Sequence, residues 1–456
     1  MQRGRDRRQA ESFTGNMPRT RGGQGMPTSL KEIAKQAEQD PKRRFTNLHQ
    51  HLNRELLIDS FRRLNKRAAR GVDGVSAARY GEGLEANVAD LLRRVKQGTY
   101  RARLVRRRYI QKSNGKLRPL GIPTIEDKLL QLAVGRILSA VYEQDFLPTS
   151  YGYRPKRGAK EAICRLTDEV GKKYSYVVEA DIKGFFDHLD HEWLLRMLNL
   201  RIGDGVVKRL IRKWLKAGIL MEDGSVERPE EGTPQGGVIS PILANVYLHY
   251  ALDLWFEKVI RRHCQGEAYL IRYADDFVAL FRYKQDAEMF YQTLGARLGK
   301  FNLTLAEEKT RIISFSRFRK YERTSFIFLG VEFRWGTSRN NKDIIKRCTS
   351  RKKMQRAFAE FTEWCRENRN QRIRKQAAEV TLKLKGHYNY FGLAGNYRCL
   401  AQYFSATMRI WYRWLNRRSQ RRSYNWAEFT RMTQVYEIPR PRITEQWTRY
   451  SWANSA

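Results

Sequence analysis

The sequence predicts a mixed α+β chain. Short strands and helices alternate to about residue 340, and helices alone follow. Three observations carry this. Residues 269–281 are apolar on both sides of a tight turn at Ala274-Asp275 and read as a strand pair. Residues 176–181 form a short Val-rich strand that ends in a carboxylate. From about Lys346 the strand signals vanish, and basic, Trp-rich segments with helical spacing take over.

In chain order, residues 1–28 are rich in Gly, Arg, Gln and Pro, and apolar periodicity begins near Leu30. The domain division places a flexible basic tail at 1–44 and a helical extension at 45–99. Leu52, Leu56, Leu57 and Phe61 share a helix face, which the turn residues Gly71-Val72-Asp73-Gly74 should stop. Residues 104–110 and 117–120 flank the turn Ser113-Asn114-Gly115-Lys116 as a hairpin, with Pro119 on an edge. A helix follows, with Leu129, Leu130, Ala133, Ile137, Leu138 and Val141 apolar. Asp190 opens another. Asp286 is placed as the cap of a helix with Ala287, Phe290, Leu294 and Leu298 on one face. Residues 326–335 are a strand pair or a bent strand around Gly330. A boundary between about 336 and 350 separates the unit at 100–340 from a helical unit at 345–430, and 431–456 reads as a tail.

Composition narrows the function. The 456 residues carry 88 Lys and Arg against 48 Asp and Glu, a formal charge of +40. With 41% hydrophobic and 12% aromatic residues the chain is globular rather than disordered. Such a charge is self-repelling unless a polyanion binds, and nucleic acid is the natural one. The longest weakly charged stretch, 236–252, contains Ser240, Pro241, Asn245 and His249, so no membrane span is expected. The basic N-terminus lacks the apolar core of a signal peptide. The five scattered cysteines have no C-x-x-C spacing, which points to reduced, inert thiols in the cytoplasm.

The chemistry centres on Asp275 and Asp276. Burying unpaired charge costs several kcal/mol per ion. Divalent cations would offset that cost. Neighbouring strand residues face opposite ways, so a turn is needed to bring two acids toward one cation. Asp181, at the end of its own apolar strand, supplies the distant carboxylate a two-ion site requires. Two ions roughly 3.5–4 Å apart clamp the attacking and leaving oxygens of a phosphoryl displacement. Mg²⁺ suits such oxygen ligands, with Mn²⁺ as a substitute. The alternative is a charged turn on a surface hairpin.

Seven segments in order then resemble a known family. They are residues 112–123 (KSNGKLRPLGIP), 151–154 (YGYR), 179–187 (EADIKGFFD), 232–243 (GTPQGGVISPIL), 269–277 (YLIRYADDF), 305–310 (LAEEKT) and 328–330 (FLG). The order resembles a reverse transcriptase, and more narrowly a group II intron-encoded protein, or maturase. The PQGG-x-x-SP form is similar to the intron enzymes rather than the retroviral ones. The enzymes of diversity-generating retroelements differ too, carrying Ser-Gln in this segment. The resemblance implies a right-hand polymerase: fingers, a palm whose antiparallel sheet carries the acids, and an α-helical thumb or maturase domain.

It also implies roles. Asp181, Asp275 and Asp276 map onto the catalytic acids, and the backbone carbonyl of Ile182 onto a further metal contact. Phe186 matches a gate that would clash with a 2′-hydroxyl; its other reading is a core aromatic beside Phe185. Lys116 and Arg118 suit the triphosphate, Arg as a fork and Lys as a point charge. Gln235 maps to the nucleotide or templating base. Lys309 maps near the primer, and Leu329 and Gly330 map to the primer grip. Arg413, Arg417 and Arg421 recur every four residues beside Trp411, Trp414 and Leu415, and are placed on RNA phosphates. Aromatics of 386–391 (GHYNYF) are read mainly as core, with stacking on RNA bases as the alternative.

Many such proteins end in a Cys/His-bearing endonuclease domain. With no cysteine after Cys399, that domain is expected to be absent and second-strand cleavage with it. The implied partners are structured intron RNA, an RNA template with a DNA or RNA primer, target DNA and dNTPs, with no membrane. The implied location is the bacterial cytoplasm, at the nucleoid. Three other readings stay open. They are a domesticated or defence-associated relative without an intron, an RNA-binding splicing cofactor without polymerase activity, and an RNA-dependent RNA polymerase. The last would place a small residue at position 186.

Overall fold

The structure, a computed structural model, describes residues 27–111, 117–171, 173–233, 236–322, 324–338, 340–418 and 423–445. Lys116, Gln235, Arg421 and the turn at 113–116 lie outside the described residues, as do 1–26 and 446–456. The side chain of Arg118 is likewise not described.

The chain folds earlier than the tail expected at 1–44 allows. Helix α1 (Thr28–Gln39) buries Leu30, Ile33 and Ala37 on one face, against a helix some hundred residues on. Burying an aliphatic side chain as large as Leu or Ile yields roughly 1.5–3 kcal/mol, enough to order a helix that is otherwise polar. Residues 40–45 are held by buried Arg201, which donates to the carbonyls of Asp40 at 3.0 Å and Arg43 at 2.8 Å.

Helix α2 (Arg54–Arg63) is capped by Asn53 and buries Leu56, Leu57 and Phe61 as expected. It stops at extended Leu64, well before Gly71. Two further helices follow, α3 (Ala77–Glu82) and α4 (Leu84–Lys96).

The first hairpin is β1 (Val105–Gln111) with β2 (Leu117–Ile122). Pro119 faces Tyr109 on the outer strand, where its missing N–H is harmless. Helix α5 (Ile125–Tyr142) is capped by Thr124 and buried on almost every side. Next come α6 (Ala159–Val170), β3 (Tyr176–Ala180) and β4 (Ile182–Lys183). Then follow α7 (His191–Asn199), capped by Asp190, α8 (Gly205–Leu215), β5 (Ile219–Leu220) and β6 (Val226–Glu227). The first sheet runs β2-β1-β5-β6.

Helix α9 (Ser240–Leu248) loosens into two π turns, at His249–Asp253 and Phe256–Ile260, before a last turn α10 (Arg261–His263). The hairpin of β7 (Ala268–Tyr273) and β8 (Asp276–Phe281) comes next. Helix α11 (Lys284–Gly299) buries Ala287, Phe290, Leu294 and Leu298. Asp286 does not cap it. The helix starts at Lys284, and the Asp286 carboxylate accepts from the backbone N–H groups of Gln265 and Gly266 at 2.9 and 3.0 Å.

Strands β9 (Thr304–Leu305) and β10 (Arg311–Ser314) complete the centre. The central sheet is antiparallel, in the order β10-β3-β8-β7, and β4 pairs with β9 beside it. A third sheet holds β11 (Ser325–Phe328), β12 (Val331–Thr337) and β13 (Asp343–Thr349). The boundary expected at 336–350 therefore runs through a strand pair, and the helical region begins only after it.

That region is α12 (Arg351–Asn368), α13 (Ile373–Phe391), α14 (Tyr397–Leu415) and α15 (Trp426–Val435). It has its own core, with Phe361, Val380, Leu384, Leu400, Trp411 and Leu415 fully buried or nearly so. The segment read as a tail from 431 packs back. Glu445 pairs with Arg347 of β13 at 2.9 Å and accepts from the Ala394 N–H. Cys348 of β13 meets Cys399, and that hydrogen bond, with the nearby Arg334, favours its thiolate. Among the described residues no helix is long and apolar enough to cross a membrane.

Candidate active site

The acids sit where strands of the central sheet end. Asp181 follows the last residue of β3, whose Ala180 lies opposite Phe277 of β8. Asp275 lies in the turn between β7 and β8, and Asp276 is the first residue of β8, opposite Tyr273. Ala274 makes the turn in the left-handed region, φ 58°. For an L-residue this conformation is worth roughly 1–2 kcal/mol of strain.

The three carboxylates are close enough to sense one another. Asp276 keeps an exposed face, yet its pKa rises to about 6. Withdrawal from water is the largest cause. Repulsion from Asp275 and then Asp181 adds to it, while Lys353 and Lys309 act in the opposite sense. Lys309 forms an ion pair with Asp181, and this contact raises the lysine pKa. Among the described residues no three His, Cys, Asp or Glu side chains close around a single point at metal-ligand spacing. A Lys309 ammonium, rather than a third carboxylate, is what Asp181 meets. Three carboxylates stand against the Lys309 and Lys353 ammoniums, and carboxylate oxygens are the donors that hard divalent ions prefer.

Other predicted residues fall around it. Ile182 is buried in β4, paired with Leu305. Phe186 is half-buried, edge-on to Phe185 with ring centroids 5.3 Å apart. Its carbonyl accepts from Thr233 N–H at 2.7 Å, which brings the 232–243 segment beside it. Leu329 and Gly330 form the turn between β11 and β12, both left-handed at φ 52° and 78°.

Comparisons with known proteins bear on the family. Residues 110–333 match the family model described as reverse transcriptase (RNA-dependent DNA polymerase). Over 336 residues the chain is 33% identical to protein YkfC of Escherichia coli (strain K12), covering 66% of this chain and 86% of that one. The chain belongs to the reverse transcriptase family. It is of the group II intron type. It is 29% identical over 462 residues to the group II intron-encoded protein LtrA of Lactococcus lactis subsp. cremoris, covering 83% of this chain and 76% of that one. A 91 kDa protein in the cob intron of Schizosaccharomyces pombe is 34% identical over 209 residues, 46% of this chain and 25% of that one.

In this reverse transcriptase two further residues stand near the acids, each within electrostatic reach of Asp276. Tyr390 of α13 donates its hydroxyl to the Leu329 carbonyl at 3.0 Å. The Lys353 stem lies over Gly330, where an added Cβ would come 2.9 Å from Lys353 Cγ. Tyr390 was within reach as part of the 386–391 run; nothing in the sequence marks Lys353.

Arg413 lies in the last turn of α14. Helix α14 ends at Leu415, so the four-residue spacing does not continue as one helical face. Arg413 and Arg417 are exposed, and Arg417 stacks on Trp414 at 5.4 Å. Trp411 and Leu415 are core.

Proposed function

We propose that this reverse transcriptase is the RNA-directed DNA polymerase of a group II intron, which copies RNA into cDNA and binds intron RNA to assist splicing and mobility. The single observation that supports it best is that Asp181, Asp275 and Asp276 stand at strand ends of the central sheet, near enough that Asp275 and then Asp181 add to the rise in the Asp276 pKa that withdrawal from water begins. In this reading the β1–β2 hairpin belongs to the fingers, the central sheet is the palm and α12 to α15 form the thumb.

Asp181, Asp275, Asp276 and the Ile182 carbonyl would hold two Mg²⁺ ions, with Mn²⁺ as substitute. Such ions stabilise charge on the attacking and leaving oxygens of a phosphoryl transfer. The primer 3′-hydroxyl attacks the α-phosphorus of a dNTP, the bond to the β-phosphate breaks, and pyrophosphate leaves. Lys116 and Arg118 receive the triphosphate, and Gln235 lies against the nucleotide or templating base. The Phe186 ring excludes a ribose 2′-hydroxyl. Leu329, Gly330 and Lys309 hold the primer end. Arg413, Arg417 and Arg421 bind RNA phosphates.

The test is primer extension on an RNA template with Mg²⁺. Asp181→Ala should abolish extension while RNA binding stays near wild type. Extension by this variant at the wild-type rate would overturn the assignment.

A further inference from the structure

Arg272 lies on β7, two residues before the left-handed Ala274, and its side chain is fully buried. A guanidinium has five N–H donors. Here each one has an acceptor. Nε and one terminal nitrogen grip the Asp253 carboxylate at 2.7 and 2.6 Å, and that terminal nitrogen also reaches Ser150 Oγ at 2.8 Å. The other terminal nitrogen donates to Asn245 Oδ1 at 3.0 Å and to the carbonyl of Ala274 at 2.9 Å.

The partners come from separate parts of the chain. Asn245 is on α9, and Asp253 closes the first π turn after it, a distortion often found beside functional sites. Asn245 also donates to the Gly152 carbonyl at 2.7 Å. The Gly152 backbone lies directly on the turn, since a Cβ there would come 2.3 Å from the Ala274 nitrogen. The 149–152 loop, the α9 helix and the acid-bearing turn therefore converge on one cation.

Stability alone gives no reason for this arrangement. A fully buried ion pair is often replaced by apolar residues of similar volume without loss. An apolar pair cannot hold the Ala274 carbonyl. A strained left-handed residue persists only where its surroundings over-determine it.

We propose that Arg272 is a positioning residue: by fixing the Ala274 carbonyl it sets the directions of Asp275 and Asp276. This rests on the reading of those acids as metal-binding groups. Arg272 touches neither metal nor substrate and acts through the turn.

The test pairs Arg272→Met with Asp253→Leu, so that both charges leave together and no lone buried ion remains. Mn²⁺ binding to the nucleotide-free protein is titrated by electron paramagnetic resonance. Extension kinetics are measured well below the melting temperature. Mn²⁺ affinity and kcat should each fall about 10–100-fold, the usual effect of removing a group that orients ligands. The KM for dNTP should stay unchanged, and amides of 269–281 should exchange faster. A folded double variant with wild-type Mn²⁺ affinity and kcat overturns the inference. Should the double variant not fold, Arg272→Lys, which cannot span all four partners, gives the same comparison: wild-type values overturn the inference, and reduced Mn²⁺ affinity with unchanged KM supports it. A wild-type protein that binds no Mn²⁺ overturns the reading of the acids, and the inference with it.

Discussion

Proton and metal should compete at Asp276. Its pKa of about 6 lies well above the ordinary carboxylate range because its surroundings withdraw it from water and Asp275 and Asp181 repel its charge. A group of this pKa is about 91% ionised near pH 7 and about 9% ionised near pH 5. If divalent binding needs the ionised form, apparent affinity drops about tenfold between those two values. An unperturbed Asp, with pKa about 3.9, would change it by less than about 10% over the same range. The assay is a Mn²⁺ titration of the nucleotide-free protein across this window, with Asp276→Asn as control. The wild type should show the tenfold loss, and Asp276→Asn a weaker but flatter profile. A flat wild-type profile would refute the reasoning. The sign for stability is the reverse. Between about pH 4 and pH 6 the folded state binds the extra proton, so this group makes the metal-free protein more stable as pH falls through that window.

Other outcomes follow from single contacts. Phe186→Val should improve use of ribonucleotides relative to deoxynucleotides by at least about 10–200-fold in kcat/KM, the range that a single methylene decides; an unchanged ratio returns the ring to the core. Tyr390→Phe removes the donor to Leu329, a loss of about 0.5–1.5 kcal/mol, and should raise the primer-template KM roughly two- to twelvefold with kcat unchanged. Arg413→Gln and Arg417→Gln should each lower the slope of log affinity against log salt for RNA binding by about 0.7–0.9, irrespective of RNA sequence. A slope equal to wild type would remove these arginines from the interface.

Legibility followed the strength of the period. The β7–β8 hairpin and the buried face of α11 were plain because apolar residues outnumber charged ones at the repeating positions. The helical pattern from Leu30 is legible, but a tail running to residue 44 is not ruled out by it, because only Leu30, Ile33 and Ala37 anchor α1 among Lys, Glu and Gln. Strand β13 is hidden in the sequence because Asp343, Lys346 and Arg347 interrupt a half-exposed strand. The acids of the site were readable because charge within apolar strands is expensive anywhere. By the same reasoning Arg272, the lone charge in a run of apolar β7 residues, was open to notice. Its counter-ion was not, because Asp253 reaches it from a different element through a π turn that leaves no mark in the sequence.

The clasp between Glu445 and Arg347 bears on how this enzyme can be cut. Arg347 is only 8% exposed and also donates to the Ala394 carbonyl. Shortening the polypeptide at 430, where helical signals fade, would strand that guanidinium without an anion and loosen the seam between the third sheet and the helices beyond it. Any trimmed version meant for crystals or for biotechnology should keep residues through 445, and a fusion partner belongs after them.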